Sequence, residues 1–457
     1  MEVQKSRYAV LGSDLTVPVI TGETVRYANL DYAATSPCLA AVADAVNEVL
    51  PWYSSVHRGG GGPSTRCTSL YEGARDTLHR FLGCRPDDIV IFVRNSTDAA
   101  NLLANAVPAD TTVVAFEGEH HANLLSWRHS VILPLPDTAE QAVALLDAAL
   151  HSLRQGERPP GAAILERTGG VPVDGPTRTG PILVSVTGAS NVTGELWPVA
   201  ELAVVANRYD ARVALDAAQL AVHQPVDITA LGVDYVFLSG HKMYAPFGAG
   251  VLAGRADWFA EAPPYLAGGG AARKVDLQAG TVCWADGPAR HEAGTPNLIG
   301  AVALGRACEV LSGPDRQVPV ADEERLLSDL ATGLADISGV HRLRIFSEQR
   351  PYVGIAAFVV DGMPSSLLAT ALSAEYGVGV RDGLFCAHTL TRTLLSRVGD
   401  GHHHGAARAS VGLGTTVEHI ERLLTGVRRM ADQGPRWTYV ERDGRLVPDP
   451  DHRHVAV

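Results

Sequence analysis

Short apolar runs alternate with longer amphipathic stretches between residues 89 and 254. The runs contain few polar positions, which is typical of strands that are covered on both faces of a sheet. Seven strands are predicted: Ile89–Val93, Thr112–Phe116, Ser130–Leu135, Ile182–Val186, Val213–Asp216, Asp234–Leu238 and Gly250–Leu252. Helices predicted at Asp98–Val107, Ala139–Leu153 and Pro198–Tyr209 alternate with them, so the pattern predicts an α/β fold with a mostly parallel seven-stranded sheet flanked by helices.

The pattern changes after residue 297, where a helix over about 298–312 leads into a smaller α+β C-terminal domain. That domain combines predicted helices with short strands: Asp322–Ile337, Pro364–Tyr376 and Thr416–Asp432, and Leu343–Phe346, Val353–Val360 and Val378–Arg381. We therefore expect four segments: an N-terminal segment 1–35 that packs with the small domain, a large domain 36–297, a small domain 298–432 and an extended tail 433–457. Residues 156–180 are rich in Gly, Pro and Thr and are predicted to be a loop insertion.

Charge and composition narrow the class of partner. The formal net charge of −12 argues against nucleic acid and anionic membranes, since both select basic surfaces. No apolar stretch reaches the ~18 residues of a membrane span, and the N-terminus lacks the pattern of a secretory signal. The six cysteines form no CxxC pair, so a reducing, cytoplasmic location is expected.

Polar residues follow several of the predicted strands at their carboxyl ends, where ligands bind in such sheets. Lys242 follows the run Asp234–Leu238, a position where burial favours the neutral amine that forms a Schiff base with an aldehyde cofactor. Asp216 closes a neighbouring strand and is suited to keep a pyridine nitrogen protonated. The pair indicates pyridoxal 5′-phosphate (PLP) chemistry.

Other residues at these strand ends suit the same cofactor. Ser96 and Thr97 begin a helix, where hydroxyl groups and backbone N–H groups bind phosphate, and Ser239 and His241 offer further donors. An ordinary helix cap is the alternative for Ser96 and Thr97, and also for Asp216. Gln219 is placed to reach a ring hydroxyl and His120 to stack on the ring, although paired histidines such as His120 and His121 are usually solvated.

Eight stretches together carry a resemblance over residues 25 to 430: Leu30–Ala34, Val56–Gly59, Glu119–Trp127, Ser190–Gly194, Asp216–Gln219, Ser239–Tyr244, Glu292–Asn297 and Gly379–Cys386. In order and spacing they resemble the class V aminotransferase family of fold-type I PLP enzymes. Within it they are most similar to the group II cysteine desulfurases and selenocysteine lyases. The resemblance implies a fold-type I architecture and a homodimer with shared active sites.

The resemblance also implies roles for individual residues. Lys242 corresponds to the Schiff-base lysine, and Arg408 resembles the arginine that binds the substrate carboxylate. Thr281 resembles a threonine that reaches the phosphate of the partner subunit. Asn191 is expected at the cofactor or substrate, and Ala34 at the substrate.

Cys386 decides the reaction type. The resemblance implies that this thiol takes the substrate sulfur as a persulfide, which requires exposure and a thiolate that Arg381 would favour. The alternative is a small buried apolar cysteine. Two departures from the family pattern stand nearby: Leu384 and Phe385 replace small or polar residues, and a longer stretch carries Gly401–Gly405 with His402–His404. A solvated loop is favoured over metal binding for these histidines, so no metal site is predicted.

The leading hypothesis is a cysteine desulfurase or selenocysteine lyase that acts through a Lys242 Schiff base and a Cys386 persulfide, with His120 assisting. A second hypothesis is a C–S lyase, epimerase or aminotransferase of secondary metabolism that acts on another amino acid. A third is a non-catalytic scaffold that kept the fold. The first hypothesis expects a small amino-acid substrate and a sulfur-acceptor protein as a partner, whereas turnover of a larger amino acid would favour the second. The sequence does not separate cysteine from selenocysteine or identify the acceptor.

Overall fold

The computed structural model describes residues 8–167, 180–398 and 403–453. The chain forms two compact units. The large unit comprises Cys38–Gly188 and Trp197–Gly313. The small unit comprises Met1–Pro37, Ala189–Leu196 and Pro314–Val457, so the short segment 189–196 leaves the large unit and returns to it.

The strands and helices are labelled in chain order. The strands are β1 Thr16–Pro18, β2 Thr24–Arg26, β3 Ala28–Asn29, β4 Asp88–Val93, β5 Thr112–Phe116, β6 His129–Leu133, β7 Ala163–Glu166, β8 Ile182–Thr187, β9 Arg212–Asp216, β10 Tyr235–Ser239, β11 Gly250–Arg255, β12 Ala272–Asp276, β13 Thr281–Trp284, β14 Val340–Arg342, β15 Ile355–Val360, β16 Val378–Gly379, β17 Arg381–Gly383, β18 Ala406–Ser410, β19 Tyr439–Arg442 and β20 Arg445–Pro448. The α-helices are α1 Ala40–Val49, α2 Gly62–Phe81, α3 Ser96–Ala106, α4 His121–Leu125, α5 Ala139–Arg154, α6 Val199–Arg208, α7 Leu220–His223, α8 Ile228–Leu231, α9 Asp257–Glu261, α10 Leu298–Leu311, α11 Gln317–Ala335, α12 Ser365–Tyr376, α13 His388–Arg397 and α14 Val417–Gln433.

The large unit is built on one sheet with the strand order β4-β11-β10-β9-β8-β5-β6-β7. Strands β6, β5, β8, β9 and β10 pair in parallel, while β11 and β7 run antiparallel to their neighbours. Strands β5, β8 and β10 are buried along their whole length, as their nearly continuous apolar sequences predict. The carboxyl ends of β4, β5, β8, β9 and β10 therefore open on the same edge of the sheet.

The sheet has eight strands within the described residues, one more than the sequence predicts. The additional strand, β7 at Ala163–Glu166, pairs with β6 and lies inside the predicted loop insertion 156–180. It is an edge strand of four residues, too short to show a clear apolar period. Residues 168–179 of the insertion lie outside the described residues.

The small unit contains an antiparallel sheet in the order β14-β15-β18-β17 and the helices α11, α12 and α14. Helix α14 shows how the sequence builds this core. Thr416 caps its first turn together with His419, and its apolar residues Ile420, Leu423, Val427 and Met430 recur at helical spacing and are buried. Each buried side chain of this size contributes about 1.5–3 kcal/mol, so packing this one face fixes the helix.

Two elements of the small unit differ from the prediction. Leu343, Ile345 and Phe346 are buried and Arg344 is exposed, but this segment forms no strand; the strand is β14, directly before it. The reason is that the Glu195 carboxylate accepts the backbone N–H groups of Ile345 at 2.6 Å and Phe346 at 3.4 Å, in place of a neighbouring strand.

The tail after Gln433 is also more ordered than predicted. Strands β19 and β20 form a hairpin through Asp443 and Gly444, which both have positive φ. Tyr439 of this hairpin donates its hydroxyl hydrogen to Glu375 of α12 at 3.0 Å, so the tail is fastened to the small unit. Among the described residues, no helix is both long and apolar enough to cross a membrane.

Candidate active site

The strand ends of the large unit bring together two of the predicted phosphate-binding residues. Asn95 caps α3 by accepting the Asp98 N–H at 3.0 Å. The Ser96 N–H donates to Ser239 Oγ at 2.7 Å, and the Ser239 hydroxyl donates to Ser96 Oγ at 3.0 Å. These contacts place two hydroxyl groups at a helix N-terminus, where backbone N–H groups and the helix dipole attract an anion. Thr97 follows in the first turn of the same helix.

A glycine allows this close approach. A Cβ atom on Gly250, the first residue of β11, would lie 2.7 Å from the Asn95 Cα. Any larger residue would therefore push the cap of α3 away from β11, which pairs with the strand that carries Ser239.

Lys242, Asp216 and His241 form an electrostatically coupled group. Asp216 is buried at the end of β9, and its Oδ1 accepts the Ala218 N–H at 2.9 Å. Burial raises the pKa of the Asp216 carboxyl, and the nearby Lys242 ammonium opposes that shift. Burial and the Lys242 charge together lower the pKa of His241 to about 4, so His241 is neutral at physiological pH and offers a neutral N–H donor.

His120 and Gln219 both lie at helix starts. His120 is half-buried and caps α4, its Nδ1 accepting the Ala122 N–H at 3.1 Å. Because Nδ1 accepts, the proton of the neutral ring is on Nε2. Gln219 is buried at the N-cap of α7, three residues after Asp216.

Directly before His120 in the chain stands a buried carboxyl group that the sequence analysis did not assign. Glu119 has no exposed surface, and burial raises the pKa of its carboxyl to about 8. Its oxygens accept the Asn123 side-chain N–H at 2.8 Å and the Thr187 N–H at 2.9 Å, while Ser185 donates to Asn123 at 2.6 Å. The negative charge of Asp216 also raises the pKa of Glu119. The sequence offers one indication that Glu119 belongs to the site, which is its position directly before His120.

Thr281 lies elsewhere in the large unit. It begins β13 in the exposed hairpin β12–β13 and is itself exposed. Three apolar side chains of this hairpin are also exposed: Val275, Leu277 and Val282.

The small unit collects a second group of predicted residues around Arg408. Arg408 is 3 % exposed in the central strand β18, and its Nη1 donates to the Asn191 carbonyl at 2.9 Å. Its Nη2 lies 3.3 Å from Asp31 Oδ1, whereas its buried Nε has no hydrogen-bond acceptor within the described part of the chain. This partly unpaired guanidinium is suited to bind a carboxylate. Ala34 is held nearby, because its N–H donates to the Asp31 carbonyl at 3.1 Å.

The segment that carries Cys386 is anchored on the same group. The Asn191 side chain donates to the Phe385 carbonyl at 2.8 Å, and the Arg408 guanidinium lies 5.0 Å from the centre of the Phe385 ring. Arg381 faces Arg408 across the β17–β18 pair. Phe385 and Cys386 have φ of 53° and 54°, a left-handed conformation that is unfavourable for both residue types. The result is a strained turn that presents Cys386 as an exposed thiol.

Asp31 and Phe385 are therefore contacts of Arg408 that the sequence analysis missed, although both lie inside stretches that carried the resemblance. The histidine-rich loop is described only in part, because His402 lies outside the described residues. His403 and His404 line a cavity in the small unit together with Asp382. Among the described residues, no group of three or more side chains is arranged to hold a metal ion.

Comparison with known proteins decides the family. Residues 28–131 and 177–423 match the family model described as aminotransferase class-V, which is most of the chain. The chain belongs to the class V aminotransferase family. This confirms the family predicted from the sequence.

Relatives within the family share one name. The chain is 33% identical over 426 residues to a cysteine desulfurase of Dickeya dadantii, covering 90% of this chain and 93% of that protein. It is 30% identical over 428 residues to a probable cysteine desulfurase of Vibrio cholerae, covering 91% and 95%.

Solved structures confirm the fold predicted for the family. The cysteine desulfurase CsdA from Escherichia coli matches with a TM-score of 0.71 and 27% identity over 88% of this chain and 94% of that one. The apo cysteine desulfurase from Thermococcus onnurineus matches with a TM-score of 0.74 and 25% identity over 89% and 94%. This class V chain therefore has the α/β fold of the fold-type I enzymes.

Proposed function

We propose that this class V enzyme is a PLP-dependent cysteine desulfurase that removes sulfur from L-cysteine, or selenium from L-selenocysteine, and releases alanine. The observation that carries the proposal is the anchoring of the Cys386 turn on Arg408: Asn191 donates to the Phe385 carbonyl and accepts from Arg408. A thiol presented beside a carboxylate-binding arginine is the arrangement that a sulfur-accepting cysteine requires. The names of the relatives agree with it.

The strand-end residues fit the cofactor in charge and hydrogen bonding. The hydroxyls of Ser96 and Ser239 at the start of α3 suit a phosphate, with Thr97 and His241 as further donors. The buried Asp216 carboxyl suits a pyridine nitrogen, because a negative carboxylate beside that nitrogen favours its protonated form. When bound, PLP supplies an aldehyde for amine capture and a ring that withdraws electrons from the substrate.

The chain's own residues then divide the remaining work. Arg408 holds the substrate carboxylate, with Ala34, Arg381 and Asn191 around it. Lys242 moves the proton at the substrate Cα, and its positive charge acts on both Asp216 and His241. His120 offers a proton at Nε2, since its Nδ1 is occupied by the Ala122 N–H.

Cys386 completes the reaction. Its Sγ forms an S–S bond with the substrate sulfur while the substrate C–S bond breaks, and Cβ takes a proton. L-cysteine and the Cys386 thiol thus become alanine and a Cys386 persulfide, with no external oxidant.

We further propose that a sulfur-acceptor protein removes the persulfide sulfur. The exposed apolar hairpin around Leu277, which carries Thr281, supports a homodimer in which Thr281 reaches the partner subunit's cofactor phosphate.

The test is alanine release from L-cysteine and from L-selenocysteine by the Cys386→Ala variant. We expect loss of alanine release from cysteine, while the visible absorption of the bound cofactor is retained. Cys283→Ala is the matched control, because Cys283 is the other exposed cysteine among the described residues. Unchanged turnover of cysteine by Cys386→Ala would remove this thiol from the mechanism.

One observation favours a second candidate, a related PLP enzyme acting on a larger amino acid. The Phe385 ring is 8% exposed and packs against Arg408, which makes an apolar wall beside the carboxylate-binding group. A screen of amino acids that follows the cofactor spectrum and released sulfide together separates the two. Turnover of a larger substrate without sulfide from cysteine would favour the second candidate.

A further inference from the structure

An arginine-lined cavity lies in the small unit, apart from the group around Arg408. It has a volume of about 250 Å³ and is lined by Arg342, Arg344 and Arg350, together with Glu195 and Tyr352. Neither Arg408 nor Cys386 lines it. Three guanidinium groups around one cavity are unusual unless their charge is compensated.

The residues that line the cavity supply little negative charge to balance the three guanidinium groups. Glu195 is the one carboxylate among them, and it already accepts the N–H groups of Ile345 and Phe346. Its Oε1 is 3.7 Å from Arg344 Nε, beyond hydrogen-bond distance. One carboxylate therefore faces three guanidinium groups. The cavity therefore carries an excess of positive charge.

Two of the arginines have unused donors. The Arg342 side chain makes no hydrogen bond or ion pair with any residue that the structure describes, and its guanidinium lies over the Tyr352 ring at 5.0 Å. Arg350 donates from Nη2 to the Leu196 carbonyl at 3.2 Å, but its Nε is buried without an acceptor in the described chain. Buried N–H donors without acceptors are rare in folded proteins and call for an explanation.

The backbone holds these arginines in place. Arg342 ends strand β14, which pairs with β15. Tyr352 forms a β-bridge with Glu195, and the Leu196 N–H donates to the Pro351 carbonyl at 2.9 Å, directly beside Arg350. A ligand would therefore meet donors whose positions are already fixed, which lowers the entropy lost on binding.

We propose that this cavity binds a small oxyanion of the phosphate type, either inorganic phosphate or a small phosphomonoester. Arginine forks bind such oxygens in pairs, and two negative charges match the excess of positive charge in the cavity. The volume admits a phosphate with a small substituent. The inference concerns a second site and does not depend on the proposed function.

The test is calorimetric titration of inorganic phosphate into the PLP-loaded protein in a phosphate-free buffer. Loading with PLP keeps the proposed cofactor site occupied, and an unchanged cofactor absorption band during the titration shows that the heat comes from elsewhere. We expect saturable binding with one site per chain, weakened about tenfold or more by Arg342→Gln and by Arg350→Gln. A parallel titration with glycerol phosphate separates the two sources: tighter binding indicates a phosphomonoester, and weaker binding indicates the free ion.

Arg325→Gln is the control, because Arg325 is exposed on α11 and lies outside the cavity. It should leave phosphate binding unchanged. Arg342→Lys keeps the charge but loses the fork, so it should restore only part of the affinity, and it covers the case in which a glutamine variant misfolds. Absence of saturable binding to the unaltered protein, or equal weakening by Arg325→Gln, would overturn the proposal.

Discussion

The buried carboxyl of Glu119 makes the stability of this protein depend on pH. Its pKa is about 8 in the folded chain against an ordinary value of 4.5. Between these two values the folded protein binds more protons than the unfolded one. The contribution of Glu119 to stability is therefore fully present below about pH 4.5 and is lost as the pH rises through about 8.

The variant Glu119→Gln removes this titration while keeping the shape of the side chain. The carbonyl oxygen of the glutamine replaces Glu119 Oε1 as acceptor for the Thr187 N–H, and the glutamine NH₂ group faces Asn123. The Asn123 amide can then turn so that its oxygen accepts from the glutamine, because the Ser185 hydroxyl can accept as well as donate. The hydrogen-bond difference is the same at every pH. Only the cost of ionising Glu119 changes with pH.

That cost follows from the two pKa values. At 1.36 kcal/mol per pKa unit, the cost of ionising Glu119 grows by about 2.5 kcal/mol between about pH 5 and about pH 7. This cost reaches roughly 5 kcal/mol above pH 8. We therefore expect the free energy of unfolding of Glu119→Gln to rise relative to the unaltered protein by about 2.5 kcal/mol over that interval. Urea unfolding followed by tryptophan fluorescence at both pH values measures it.

Glu324→Gln provides the control for the Glu119 measurement, because Glu324 is an exposed carboxylate on α11. Its stability difference from the unaltered protein should stay nearly constant across the same interval. If the Glu119→Gln difference is also constant, Glu119 titrates in the folded state as it does in the unfolded chain. The assignment of a protonated carboxyl to the buried Glu119 would then be wrong.

Two further perturbations test the local geometry of the sites. Asn95→Ala should lower stability by about 1 kcal/mol and weaken PLP binding by the apoprotein. Thr138→Ala removes the corresponding cap of α5, so it should lower stability by a similar amount and leave PLP affinity unchanged. Thermal melting and PLP titration measure the two effects, and equal PLP affinities of the two variants would refute a phosphate site at α3. Phe385→Ala should raise KM for cysteine about fivefold, because Arg408 loses a cation–π contact worth about 1 kcal/mol. Phe385→Leu keeps most of the side-chain volume without the aromatic ring, so it separates the two contributions. An unchanged KM in steady-state kinetics would show that the ring does not hold Arg408.

Many secondary-structure elements of the large unit can be predicted from local sequence patterns. Strands such as β5 and β10 are continuous apolar runs bounded by polar residues, so their positions and their burial follow from the pattern alone. The hairpin β19–β20 also had a local signal that the sequence analysis did not use. Asp443 and Gly444 stand between two short segments of four residues each, and this dipeptide favours the tight turn with positive φ at both residues.

Other features depend on residues far apart in the chain. Leu343–Phe346 is apolar enough for a strand, but the N–H groups of Ile345 and Phe346 donate to Glu195, about 150 positions earlier. The strained turn at Cys386 depends likewise on the contact of Phe385 with Asn191, which stands 194 positions before Phe385 in the chain. No local pattern contains such contacts, because they arise only when the packed core brings the segments together.

The sequence by itself determined the family, the α/β fold and the identity of the polar residues at the strand ends, because these depend on local periodicity and on motif order. The tertiary structure decided how those residues behave. Full burial, not composition, raises the pKa of Glu119, and the stacking of Phe385 on Arg408 makes an apolar wall beside a charged group. Burial and long-range contact set the local dielectric and the available partners, and both exist only once the chain has folded.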